Sequence, residues 1–205
     1  PPRCRGPGAG RLPGGGWPVG AIVELMPMST GIGELRLLLS TLARITRTER
    51  YVAFASPPYI PFAPALAQSG VNLERLLVIN APASEDTLWA FEQTLRCKSF
   101  GAVLAWSPVA RDREVRRLQL AAEAGRSIGF LYRPPSAAFE SSPAAVRLRL
   151  HANERGLAID ILKCRGARGG ITLTVNGSSV DTHASTRAAD HILRPTIHAS
   201  SARTA

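Results

Sequence analysis

At 205 residues, 45% of them hydrophobic and 20% charged, the chain has the composition of a globular protein and the length of one domain. Folding a domain of this size removes about 70% of the unfolded surface from water, enough for a core without disulfides. No apolar run approaches the roughly 20 residues that span a bilayer, and the first residues lack the apolar stretch of a secretory signal, so no membrane partner is expected.

The formal net charge of +10 is carried almost wholly by arginine, since Lys98 and Lys163 are the only lysines. Phosphate neutralisation by such charge favours nucleic acid. The arginine bias, beside abundant Ala, Gly and Pro, fits a GC-rich genome equally well. Cys4, Cys97 and Cys164 are odd in number and far apart, and none stands at zinc-ligand spacing from another Cys or His. The expectation is no disulfide framework, no metal, no cofactor and a reducing, cytoplasmic compartment.

Residues 1–16 are dense in Gly and Pro without an apolar period and read as a flexible lead-in. A short apolar strand follows at 21–26, then a turn-rich loop, then a helix over 34–47 with Leu35, Leu38, Leu39, Leu42 and Ile45 on one face. The alternation repeats, with a strand at 51–55 and a short helix at 61–68 closed by Gly70. A third strand lies at 76–79, and a helix over 84–97 has Ser84 as its N-cap. A strand at 102–106 leads to a helix over 112–126 with Val115, Leu118 and Ala122 inward, and a strand at 128–132 ends at Arg133-Pro134-Pro135. Near-continuous apolar strands alternating with helices predict an α/β fold whose mostly parallel sheet is covered on both faces.

Beyond Pro135 the texture changes. Residues 145–151, 156–163 and 171–175 read as strands, the first alternating apolar and basic residues, and antiparallel pairing at one sheet edge fits them best. Residues 17–177 are then the core domain, and 178–205, rich in Ser, Thr, Ala and His, are expected to be a disordered tail.

Ligands of α/β sheets sit at the carboxyl ends of strands, so the loop after the first strand is where a phosphate cradle belongs. A working cradle needs GxxxxGK[ST]. Here Gly31 and Gly33 stand without any lysine, and Glu34 occupies the helix start, where a carboxylate caps the helix and repels polyphosphate. No GxSxG, HExxH or paired-carboxylate constellation appears, so the protein is expected not to be an enzyme. Trp89 and Trp106 sit in apolar contexts that favour core packing over base stacking, and Trp17 reads as a cap on the sheet. Arg113, Arg116 and Arg117 fit a solvated helix face with local ion pairs. Arg147, Arg149, Arg165 and Arg168 lie on the late strands and their turn. They suit either contact with DNA phosphate or an acidic partner, or protection of the edge by charge.

The stretch LPGGGWPVGAIVEL with its loop and leucine-rich helix resembles the opening of the RecA core, and residues 69–110 resemble its third and fourth strands. Ser56-Pro57-Pro58 stands where that family carries its catalytic glutamate, and Trp106 where it carries the Walker B aspartate. GIGELRLLL, LWAFEQTLR, GAVLAWSP and LQLAAEAGRSIGFLYRPPS resemble the ImuA family of RecA-like translesion accessory proteins over about residues 12–177. LAAEAGRSIGFLYRP is also similar to the SulA family, and the strands after Pro135, including ILKCRGARGGITLTV, favour ImuA. The ImuA resemblance implies a non-catalytic part in a DNA-damage-inducible mutasome. Its partners there are a Y-family polymerase-like protein and a RecA-type recombinase. The alternative is a SulA-like inhibitor of a tubulin-like division protein.

Overall fold

Strands that are apolar on both faces need a layer on each side, and the molecule is built that way. The computed structural model describes residues 3–4, 15–166 and 170–176. Arg3–Cys4 (β1) pairs antiparallel with Trp17–Pro18 (β2), so an element stands within the expected lead-in. Next come Ala21–Pro27 (β3), Arg36–Arg47 (α1), Tyr51–Ala55 (β4), Ala63–Gln68 (α2), Leu76–Ile79 (β5) and Ser84–Arg96 (α3). Phe100–Trp106 (β6), Asp112–Gly125 (α4), Ile128–Tyr132 (β7), Val146–Asn153 (β8), Gly156–Cys164 (β9) and Ile171–Asn176 (β10) complete the order. Among the described residues the large sheet has eight strands, in the order β10-β9-β8-β3-β7-β6-β4-β5.

One face carries Val23, Leu25, Phe54, Leu104 and Phe130 and is covered by Leu38, Leu42 and Ile45 of α1. The other carries Ile22, Ala53, Val103 and Leu131 and is covered by Phe91 and Leu95 of α3 and by Val115, Leu118 and Ala122 of α4. Trp17 is fully buried, its ring edge-on to Phe130 at 5.1 Å, so it caps the sheet as expected. Where α4 ends against α3, a Cβ on Gly125 would lie 1.9 Å from the Leu95 carbonyl, and only glycine permits that approach. No described helix is long and apolar enough to cross a membrane.

Three expectations are corrected. β8 joins the sheet parallel to β3, because residues 133–145 carry the chain back across the sheet before it begins, and antiparallel pairing in the large sheet is confined to β8–β9 and β9–β10. β5 is an edge strand with Leu77 and Val78 exposed, although its LLVI sequence reads like a buried strand. Ser84 lies inside α3, whose N-cap is Ala83, with no side-chain cap.

The centre of the sheet holds a charge. Glu24 on β3 is 0% exposed. Its carboxylate accepts from Arg133 Nη1 at 3.0 Å, Arg147 Nε at 2.6 Å and Ser142 Oγ at 2.8 Å. Arg147 Nη1 and Nη2 donate to the carbonyls of Glu140 and Ala137 at 2.7 and 2.6 Å, and Arg133 Nη2 to that of Ala110 at 2.6 Å. The 3₁₀ turn Pro135–Phe139 packs on β3 and β8 beside these bonds. A second buried carboxylate, Glu92 on α3, accepts from Arg96 at 2.7 Å and from Arg117 across on α4. Burial pushes the Glu92 carboxyl upward, but hydrogen bonds and charge from Arg117 and Arg96 outweigh it and hold the group below the usual glutamate range.

Two stability tests follow from these carboxylates. Arg147→Met leaves Glu24 with one cation and is expected to cost about 3–5 kcal/mol in chemical denaturation. The lowered Glu92 value means its contribution is complete above the unfolded value of about 4.3 and is lost as pH falls through the folded one. Arg117→Ala should therefore lower the melting temperature at neutral pH and shrink the loss of stability seen below about pH 4.

Candidate functional site

At the carboxyl ends of the strands, the loop after β3 folds on its own carboxylate. Gly31 and Gly33 adopt φ of 81° and 90°, and the Gly31 N–H donates to Glu34 Oε1 at 3.1 Å. Helix α1 starts at Arg36 with Leu35 as an N-cap that makes no side-chain bond, so Glu34 closes the loop rather than capping the helix. Tyr132, at the end of β7, is buried beneath this loop. Burial first, and the Glu34 charge second, push its phenol far above the ordinary tyrosine value. Trp106 stacks on Tyr132 at 4.6 Å with the rings 5° apart, and Phe54 meets Trp106 edge-on. The remaining cleft, about 340 Å³ between Met28, Ser107 and Pro134, is walled by four prolines and contains one cationic side chain, Arg133. The Nη atoms of Arg133 are held by Glu24, Glu140 and Ala110. Among the described residues no cluster of three or more His, Cys, Asp or Glu suits a metal ion.

The described candidate arginines, Arg147, Arg149 and Arg165, are not gathered into a site. Arg147 is a correction: at 6% exposure, with its guanidinium on Glu24 and two carbonyls, it cannot meet phosphate or a partner. Its alternation with Val146 and Leu148 imitates a half-exposed strand, while residues 133–145 cover it. Arg149 remains half-exposed on the same sheet face, bound to Asp160 at 2.9 Å. Arg165 is exposed in the turn after β9 beside a cleft of about 440 Å³. Arg168 lies outside the described residues. Arg116 pairs with Asp112 at 2.7 Å, and Arg117 with Glu92, in keeping with the ion-pair reading.

What the structure does gather is an uncharged apolar edge. Ser56 takes φ of 49°, a left-handed conformation costing about 1–2 kcal/mol for an L-residue. Three hydrogen bonds hold it there. Its N–H donates to Ile79 O at 2.8 Å, its hydroxyl meets Thr87 Oγ1 at 2.8 Å, and Ala81 N–H donates to that hydroxyl at 3.2 Å. The turn throws the following residues outward: Tyr59 is 72%, Ile60 96% and Phe62 71% exposed. On neighbouring β5, Leu77 is 45% and Val78 39% exposed. Summed over the five side chains, with Leu77 and Val78 on opposite faces of β5, the exposed apolar surface is on the order of 600 Å².

No residue from Tyr51 to Leu73 carries a charge, and between Arg50 and Glu85 only Glu74 and Arg75 do. That charge-free run was legible in the sequence and is the signal that points to this edge. Trp89 is a further correction, since it stands largely exposed on α3 rather than in the core.

Beneath the closed loop, the Tyr132 hydroxyl and Glu34 Oε2 are both buried without a hydrogen-bond partner. Removing an unsatisfied buried hydroxyl relieves its desolvation. Tyr132→Phe is therefore expected to leave stability unchanged or raise it by up to ~1 kcal/mol in urea unfolding, whereas a loss above ~1 kcal/mol would mean the hydroxyl is bonded.

Comparison with known proteins turns the reading toward one family. The family model described as cell division inhibitor SulA matches residues 20–129, more than half of the chain, from the approach to β3 into β7. Cell division inhibitor SulA of Photorhabdus laumondii is 31% identical over 120 residues, covering 57% of this chain and 68% of that protein. Its counterpart in Edwardsiella piscicida is 32% identical over 125 residues, covering 60% and 73%. The crystal structure of SulA from Pseudomonas aeruginosa aligns with a TM-score of 0.46 and 23% identity over 55% of this chain and 97% of its own. The family model and the two relatives correct the ImuA assignment, and with it the translesion role and the expected polymerase and recombinase partners. The charge-free edge lies inside the matched region, and the four arginines lie beyond it. The chain belongs to the SulA family of cell division inhibitors.

Proposed function

We propose that this protein inhibits cell division by docking a tubulin-like division protein on the uncharged edge formed by Tyr59, Ile60, Phe62, α2 and β5. The observation that carries the reading is the exposed apolar set itself, held out by Ser56 within the region shared with relatives named as division inhibitors. Interfaces draw most of their binding energy from a few aromatic and apolar anchors, and Tyr59 and Phe62 are such anchors. The protein acts by contact, without catalysis or cofactor, in the cytoplasm, as part of the response to DNA damage. Its core, residues 17–177, is of RecA-like descent, with the phosphate position closed by Glu34. The surface arginines Arg149 and Arg165 are not needed for this docking.

Light scattering of the purified division protein assembling with its nucleotide tests the reading. The wild-type protein should suppress assembly at near-equimolar ratio. The double variant Ile60→Asp, Phe62→Asp, melting at the same temperature, should bind at least ~30-fold more weakly, the loss of ~2 kcal/mol expected at interface anchors. Assembly that proceeds unchanged beside the wild-type protein overturns the proposal.

A further inference from the structure

β5 has the backbone of a strand on its outer side and no strand beside it among the described residues. The Ser56 N–H donates to Ile79 O, so Ile79, and by the two-residue alternation Leu77, turn their main-chain groups toward β4. Val78 therefore turns its N–H and C=O outward. The Leu76 N–H is occupied by Leu73 O, which ends the available ladder on the amino side. Edge strands are normally guarded by being short or by lysine, proline, a bulge or an inward charge. Leu76–Ile79 is short but carries none of the chemical guards, and its register with β4 is unbroken.

We propose that the division-protein partner adds an extended, uncharged segment to β5, bonding main chain to main chain through Val78, while Tyr59, Ile60 and Phe62 receive the residues flanking that segment. This inference rests on the docking reading above and specifies how the contact is made. The occupant is uncharged because the edge offers no counter-charge near Val78. A charged strand would lose its hydration there without compensation. A second copy of this chain fits poorly. Antiparallel self-pairing over four residues spans only ~13 Å, far from the ~800 Å² per partner of a stable interface. It would also set each Tyr59–Phe62 loop against the charged Glu74–Arg75 end of the other copy.

Titration calorimetry of the full chain against the purified division protein, with wild type, Val78→Ala and Val78→Pro, separates the possibilities. Proline at an outward-facing edge position removes the donor while sparing the bonds to β4, and thermal melting of each variant verifies folding. Strand addition predicts Val78→Ala within ~3-fold of wild type and Val78→Pro at least ~30-fold weaker. Amide exchange on the unmodified protein supplies a readout independent of the variants: the Val78 N–H should exchange at least ~10-fold more slowly in the complex. Equal weakening by Ala and Pro, or an unprotected Val78 amide in a complex that forms, overturns strand addition and leaves the inhibitor reading standing. Self-association abolished by Val78→Pro would assign the edge to a second copy instead. Absence of any wild-type binding overturns the inhibitor reading and this inference together.

Discussion

The carboxylate of Glu24, buried in the middle of the sheet between two arginines, is the constraint around which the carboxyl-terminal third of the molecule is arranged. An isolated charge at that depth would be untenable, so Arg133, Arg147 and Ser142 must all be in place before β3 can sit where it does. Those three residues come from the end of β7, from β8 and from the segment between them. One carboxylate thus fixes the course of residues 133–145, the parallel placement of β8 and, through β8, the attachment of β9 and β10. The cluster also covers that part of the sheet face without a helix, through the turn Pro135–Phe139.

The two ends of the sheet are chemically unlike each other. Toward β10 the outer face carries Arg149, His151 and Asp160, with Thr172 bonded to Asp160 at 2.7 Å, so that edge is wet and internally paired. Toward β5 charges are almost absent, and apolar side chains stand in solvent. Hydration opposes burial of the first edge and favours burial of the second. Ser56 sharpens the contrast: a strained turn clamped to Ile79, Ala81 and Thr87 presents Tyr59 to Phe62 from a rigid base, which lowers the ordering cost of binding.

Much of the fold was legible in the sequence because periodicity reports which residues avoid water. The strand–helix alternation, the apolar stripe of α1 and the burial of Trp17 all follow from that rule. Periodicity does not report how many neighbours a strand has, so Leu76–Ile79 reads as central although it forms the edge. Nor does it reveal pairing across long separations. Arg147 alternates with Val146 and Leu148 as an exposed residue would, and its partner Glu24 stands 123 positions away. Trp89 misleads for a related reason: an aromatic on an amphipathic helix reads as core unless the neighbouring helix is known. The ImuA assignment rested on motifs such as GIGELRLLL and LWAFEQTLR inside the matched region, and only the preference over SulA came from the strands after Pro135, outside it. LAAEAGRSIGFLYRP, most of which lies within that region, already resembled SulA.

The long interval without charges also bears on how the polypeptide fares before it meets anything. A stretch such as VAFASPPYIPFAPALA has no charge within it, and the nearest ones, Glu49-Arg50 before it and Glu74-Arg75 before LLVI, are the only gatekeepers against intermolecular association in an unfolded or half-folded chain. Its prolines are the main interruption, because they cannot donate to a cross-strand ladder. The apolar surface that stands in solvent on the folded protein is therefore also the stretch most exposed to association while the chain is unfolded.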